Sequence, residues 1–228
     1  MMTTTMMTSW TLKFNKGSTQ FCLRLIASIL SSRLLLLRRI WSNDIDAPGL
    51  CEHKVSFLRL IDCMTNGTKI KINATGTQLR FQPGVLLGGE IEHNCPVGGE
   101  EGVGGGGGEG GGGGRGRGRG VGWYLEGIFP LATFGKEPLQ LTLRGITDGT
   151  SDLDPSPDYL QASFVPWLMR LGVGNDAHKS PPPSLRVIRR GSLPLGQGRG
   201  TLPLSHREGI KTDGIGNVQQ GEASTVPS

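Results

Sequence analysis

The segment from Ala47 to Cys95, APGLCEHKVSFLRLIDCMTNGTKIKINATGTQLRFQPGVLLGGEIEHNC, decides the fold, because helix, turn and strand signals agree along it. Phe57, Leu60, Ile61 and Met64 recur at i, i+3, i+4 and i+7, the spacing that lines four apolar side chains along one helical stripe. Asn66-Gly67 supplies a stop, since glycine takes the left-handed helix-ending conformation without steric cost. The period then changes to two. Ile70 and Ile72 alternate with Lys69, Lys71 and Asn73, and after a turn at Thr75-Gly76 the residues Thr77, Leu79 and Phe81 alternate with Gln78 and Arg80. Pro83-Gly84 ends the second strand. A helix followed by two strands covers only one face of its own sheet, so the unit has to pack on neighbours of the same kind.

The flanking sequence supplies them. Thr11 to Phe14 reads as a short strand, Phe21, Leu25, Ile29 and Leu30 as a helical stripe, and Leu34 to Leu37 with Ile40 as a buried strand. Further on, Tyr124, Ile128 and Leu131 mark a helix, and Leu139, Leu141 and Leu143 alternate as a strand. Leu160, Phe164, Leu168 and Leu171 mark a last helix that opens with Pro157 and ends at Gly172, and Leu185 to Ile188 reads as a short strand. The fold class is α/β, built of repeated helix-plus-strands units. His93 and Cys95 fall in an expected loop, and two potential ligands are too few for zinc.

Two tracts stand outside this pattern. Between Gly98 and Gly122, 17 of 25 positions are glycine, and the three arginines Arg115, Arg117 and Arg119 are offset by Glu100, Glu101 and Glu109. Such a tract is expected to be disordered; its Arg-Gly core resembles RNA-binding segments, while a plain flexible insertion is the competing reading. Residues 199–228 lack apolar periodicity and are also expected to be disordered, as is the unpatterned lead 1–10. The organisation expected is therefore a lead 1–10, first repeats 11–97, an insertion 98–122, a continuation 123–198 and a tail 199–228.

Formal charge is +5, and all of the excess lies before residue 98, where 11 Lys or Arg face 6 Asp or Glu. That surplus suits a polyanion but equally a soluble basic surface. Four cysteines without a Cys-x-x-Cys pair point to reduced thiols rather than a metal site. Arg24 and Arg33 confine the uncharged run between them to eight residues, which excludes a membrane span there. No acidic residue precedes Asp44, a composition shared with mitochondrial transit peptides, yet the strand and helix pattern begins inside any such leader.

Several words of this sequence, PGL at 48–50, SFLRLIDCMTNGT at 56–68, TGT at 75–77, QPG at 82–84, the pair Gly88-Gly89 and IEHNC at 91–95, resemble the RNA 3'-terminal phosphate cyclase-like proteins. These form the non-cyclising eukaryotic branch of the RNA 3'-phosphate cyclase superfamily. The resemblance runs from about Thr11 to Gly198, skips the glycine tract, and answers to about the first half of a full-length member, so the domain is expected to be incomplete. Where active cyclases carry a Glu-Gly-Gly-Gly-Gln run, this chain reads Lys16-Gly17-Ser18-Thr19-Gln20. The superfamily signature, a basic residue and Gly, then Pro, then three glycines, is matched by Arg189-Arg190-Gly191-Ser192-Leu193-Pro194-Leu195-Gly196-Gln197-Gly198, with Gln197 in place of the middle glycine.

The resemblance implies a ribosome biogenesis factor in the nucleus and nucleolus. It would support pre-rRNA processing to 18S rRNA in the small-subunit processome, with pre-ribosomal RNA, processome proteins and a GTPase as partners. It implies no catalytic residue, cofactor, metal, membrane or small-molecule substrate. The adenylylated histidine of true cyclases belongs to the family's later half, and His206 lies in sequence unlike the family. Two alternatives stay open: an ATP-dependent RNA 3'-terminal phosphate cyclase, and a truncated product without independent function. The phosphate or RNA contacts expected are Arg38, Arg39, Arg189 and Arg190, with Gly191, Gly196 and Gly198 shaping a turn whose N–H groups face a phosphate.

Overall fold

The computed structural model describes residues 11–15, 17–45, 47–96, 118–147, 154–174 and 182–191, together with the backbone of 208–212. The elements run β1 (Leu12–Phe14), α1 (Phe21–Ser31), β2 (Leu35–Leu37), α2 (Glu52–Met64), β3 (Thr65–Asn66), β4 (Lys69–Ile72), β5 (Leu79–Gln82), β6 (Val85–Leu86) and β7 (Gly89–Asn94). They continue with α3 (Val121–Ala132), β8 (Leu139–Gly145), α4 (Pro157–Arg170), β9 (Arg186–Val187) and β10 (Glu208–Thr212). The class is α/β, as the periodicities predict. No helix among the described residues is long and apolar enough to cross a membrane.

One topology occurs twice. In the first sheet, ordered β1-β2-β5-β4, a strand, a helix and a parallel strand are followed by a second helix and an antiparallel pair whose last strand inserts next to β2. In the second sheet, ordered β7-β8-β10-β9, the same sequence of strand, helix, parallel strand, helix and antiparallel pair is repeated with the same insertion. A two-stranded ribbon pairs β3, which precedes β4 within the first unit, with β6, which lies between the units in sequence.

The predicted stripes face inward. Phe57, Leu60, Ile61 and Met64 are all buried, as are Leu35, Leu37, Leu79 and Phe81 from the first sheet and Leu139, Leu141 and Leu143 from the second. These side chains belong to one continuous core. Helix α3 joins the units: Tyr124 and Leu125 are buried on it, it packs on α1, and a Cβ added at Gly127 would meet the Phe57 ring at 2.7 Å and Cys22 Cβ at 3.3 Å. Glycine here permits close helix approach at the cost of helix propensity, about 1 kcal/mol.

Four local expectations are corrected. Helix α2 ends at Met64, and Asn66 pairs with Val85 instead of capping the helix; the Thr65 hydroxyl donates to Ile61 O at 2.8 Å and closes the turn. The segment holding His93 is a strand, β7, paired in parallel with β8. Only Ile91 is buried on it, so its alternation was too thin to read, and the ladder with β8 supplies what side-chain pattern does not. The glycine tract ends earlier than expected, because Val121 and Gly122 are buried in the first turn of α3, where a Cβ on Gly122 would strike the Pro155 carbonyl. In the tail expected to lack structure, Glu208–Thr212 forms β10, inserted between β8 and β9. A strand edge offers unpaired N–H and C=O groups, and these can be satisfied by a partner of almost any sequence. The lead 1–10 and positions 97–117 lie outside the described residues.

Because Phe57 is fully buried at the joint between the units, Phe57→Ala is expected to lower unfolding free energy by about 3–5 kcal/mol. Urea denaturation of the full chain measures this, and a loss below about 1 kcal/mol would mean that the joint tolerates a cavity.

Candidate functional site

Ligands of open α/β sheets gather beyond the carboxyl ends of parallel strands, and among the described residues a large cleft lies there. It has a volume of about 1090 Å³, and its walls come from the residues after β1, the residues after β2 and the first turns of α2 and α3. Three helix N-termini thus open toward one space. The N-cap residues Gln20, Cys51 and Gly120 make no side-chain cap bond among the described residues, whereas Ser156, at the start of α4 and outside the cleft, accepts from Tyr159 N at 3.1 Å. Uncapped first turns, here those of α1 and α2, leave N–H groups and the positive end of the helix dipole available to an anion, whereas at α3 the Gly120 N–H already donates to Asp154 Oδ2 at 3.0 Å and the Val121 N–H to Ile146 O at 2.9 Å.

The β1–α1 turn is held from three sides. Gly17, at φ 60, donates its N–H to Arg38 O at 3.2 Å. Arg24 donates from Nη1 to Gly17 O at 3.0 Å while its guanidinium lies 4.4 Å from the Phe14 ring centroid. Lys54, from the first turn of α2, donates from Nζ to Ser18 Oγ at 2.7 Å. The turn from Gly17 to Gln20 therefore has a fixed shape, with a lysine ammonium against it.

Cationic groups on the cleft are Arg39, Lys54 and Arg119; acidic ones are Asp44 and Glu126. Arg119 is anchored by an ion pair with Asp154 at 2.6 Å and sits 5.7 Å from the Trp123 ring centroid. Trp123 meets His53 edge to face at 5.1 Å and Phe57 at 5.4 Å. Burial pushes the His53 imidazole down to about 4, with Lys54 and Arg119 adding to the shift. Burial also pushes the Cys22 thiol up to about 12, which removes it as a nucleophile at neutral pH.

His93 pairs through Nε2 with Ser56 Oγ at 2.8 Å, and burial with the nearby Arg59 lowers its proton affinity. The pair lies outside the cleft lining, and Ser56 is buried. Cys95 is buried as well, and its thiol is pushed up by desolvation. Among the described residues, no group of three His, Cys, Asp or Glu side chains is placed to hold a metal ion.

The arginines singled out from sequence fall in two places. Arg38 and Arg39 follow β2; both line a smaller depression with Asn15, Ser42, Thr77 and Gln78, and Arg39 also reaches the large cleft. Arg189 and Arg190 line a separate depression with Asp158, Gln161 and Arg186. Arg190 is held by Asp158 through two bonds of 2.8 and 2.9 Å, which lowers the Asp158 carboxyl. Gly191 is buried and donates its N–H to Thr147 Oγ1 at 2.9 Å, so that group serves the fold instead of an anion. Gly196 and Gly198 lie outside the described residues.

Sequence reasoning missed Trp41, His53 and Lys54. Lys54 was legible in principle, since it stands in the first turn of a clearly marked helix. Arg119 stood out only as part of the Arg-Gly core, and nothing in the glycines around it marks its place on this cleft.

A profile of the family described as RNA 3'-terminal phosphate cyclase matches residues 14–214. The sequence is 41% identical over 188 residues to the RNA 3'-terminal phosphate cyclase-like protein of Mus musculus, covering 82% of this chain and 43% of that protein. The protein of the same description from Homo sapiens is 38% identical over 188 residues, with the same two shares, 82% and 43%. An rRNA processing protein of Schizosaccharomyces pombe is 34% identical over 193 residues, covering 84% of this chain and 45% of its own length. The chain thus spans less than half the length of the curated relatives it matches.

A histidine held near 4 in the folded chain and near 6.5 when unfolded takes up a proton on unfolding between those values. Its contribution to stability is complete above pH 6.5 and is lost as pH falls toward 4, with a ceiling on the order of 3 kcal/mol. His53→Phe keeps an aromatic edge against Trp123 and is expected to flatten the decline in urea midpoint over that interval. An equal decline in wild type and variant would remove His53 as its source.

Proposed function

Because the chain belongs to the RNA 3'-terminal phosphate cyclase family, we propose that it acts as a ribosome biogenesis factor that supports pre-rRNA processing without forming cyclic phosphate ends. The observation that carries this reading is its similarity to proteins named cyclase-like and rRNA processing, across animals and fungi. The turn Gly17-Ser18-Thr19-Gln20 favours the same reading, because it lacks the acid and two of the glycines of the cyclase run and is tied down by Arg24 and Lys54.

The finer picture is part of the proposal. The chain works in the nucleus and nucleolus, within the small-subunit processome, toward 18S rRNA, and beside a GTPase. Pre-ribosomal RNA is met by cationic side chains at strand and helix ends: Arg38 and Arg39 beside the large cleft, and Arg189 and Arg190 on the second unit. Their use is phosphate contact, which positions RNA without reading its sequence.

Tagged chain expressed in cells is expected to co-purify with pre-ribosomal RNA and a processome GTPase, and to form no stable adenylate with labelled ATP. Background-level recovery of both partners overturns the assembly role, and a stable adenylate restores the cyclase. In solution, replacing Arg38, Arg39, Arg189 and Arg190 by Ala is expected to flatten the dependence of log affinity on log salt, by up to about one unit for each phosphate no longer neutralised. An unchanged slope takes these four residues out of the interface.

A further inference from the structure

The joint between the two units is made by the second helix of one and the first helix of the next: His53 and Phe57 of α2 meet Trp123 and Gly127 of α3. Such a joint has two different faces, and a chain of two units carries each face twice. One pair is used up inside the molecule. The other pair is the flank of α4 that answers to α2 and the flank of α1 that answers to α3.

Aligned on their N-caps, Cys51 and Ser156, the second helices place Asp158, Ala162, Pro166 and Met169 where His53, Phe57, Ile61 and Met64 stand. The four residues of α2 are buried, and the four of α4 are exposed. Tyr159, beside them, is 63% exposed. Aligned in the same way on Gln20 and Gly120, the first helices place Leu23 and Ala27 where Trp123 and Gly127 stand. Both are exposed, Leu23 at 58%, and Leu30 at 45% continues their stripe at i, i+4 and i+7. Leu23 also lies on the lining of the large cleft.

Repeated units bury their apolar flanks only against a neighbour, and a unit that ends a stack needs a polar outer face to stay in solution. Neither flank has one. The α4 flank offers Tyr159, Ala162, Pro166 and Met169, with its one carboxylate, Asp158, already held by Arg190. The α1 flank offers Leu23, Ala27 and Leu30. We infer that the α4 flank of one copy of this chain receives the α1 flank of a second copy, repeating between copies the joint that α2 and α3 make within one. Where the internal joint sets a ring against a glycine, this one sets Ala162 against Ala27, so the helices can again come close. The contact is heterologous, because the two surfaces differ. It does not depend on RNA binding.

Sedimentation velocity of the 228-residue chain, over about a hundredfold range of concentration, reads the assembled mass. Wild type is expected to pass from one chain to two or more as concentration rises. Ala27→Arg and Ala162→Arg each put a cation into one flank at an exposed position, and circular dichroism verifies that both variants fold. Each variant alone should associate roughly tenfold or more weakly than wild type. An equimolar mixture should associate more tightly than either alone, because Ala27→Arg chains keep an intact α4 flank and Ala162→Arg chains an intact α1 flank. A wild type of single-chain mass throughout overturns the inference, as does association that neither substitution weakens. Loss in only one variant means that like flanks meet each other and overturns the pairing of α4 with α1, and a mixture no better than its parts does the same.

Discussion

The contact on which the rest of the structure depends is the meeting of Phe57 and Gly127. Phe57 projects from α2 of the first unit, and its ring tip occupies the space that any side chain at Gly127 of α3 would need. This lets α3 come close enough to pack on α1 and to complete one core across both sheets. The functional consequence is local. The first turn of α3 is brought beside the first turns of α1 and α2, and Trp123 wedges against His53 and Phe57, which fixes where Arg119 reaches the cleft. A cleft assembled from three helix ends is only as well defined as the joint that holds the helices, and here that joint is a ring against a missing methyl group.

The cations around the grooves are held with unequal strength, and magnitude decides which can respond to an arriving phosphate. Arg190 and Asp158 are both about half exposed, and such a pair is worth about 0–1 kcal/mol, so a phosphate can take Arg190 from Asp158 at little cost. Arg119 and Asp154 are far more enclosed, with the Asp154 side chain only 4% exposed. Breaking that pair would leave a carboxylate short of both water and counter-charge, a penalty of several kcal/mol. Arg119 is therefore a fixed positive wall of the cleft, and Arg190 a weakly held cation on the second unit.

Much of the architecture was legible in the sequence because burial and period coincide. The stripe of Phe57, Leu60, Ile61 and Met64, and the alternation of Leu139, Leu141 and Leu143, are core positions for the reasons that made them visible. What escaped reading was structure that the backbone maintains without a side-chain pattern. β7 buries only Ile91 along its length and is defined by its parallel ladder to β8; β10 is defined by its place in a topology that already occurred once, between β2 and β4. The site was legible in part. The basic pair after β2 and the Gly17-Ser18 turn stood out, and Trp41 is two residues from that pair, but the convergence of Lys54 and Arg119 on them is a product of the helix joint, and no spacing in the chain encodes it.

The place of the glycine tract follows from the same repeat. Within the second unit it occupies the connection from the first strand to the first helix, the counterpart of the Gly17 turn in the first unit. The two ends of this connection are pinned to the same strand end: Cys95 N donates to Arg144 O at 2.7 Å, and Val121 N donates to Ile146 O at 2.9 Å. Residues 144 and 146 are neighbours but one, so the ends are close whatever joins them. Closing a flexible loop costs only about 0.6 kcal/mol more for each doubling of its length, provided its ends are already fixed near each other. An insertion there leaves the ladder of β7 on β8 and the burial of Val121 untouched, and this explains how a tract that cannot build a core sits inside a domain without interrupting it. The described ends of this connection, Cys95 and Val121, both meet the carboxyl end of β8, on the side where Arg119 enters the cleft.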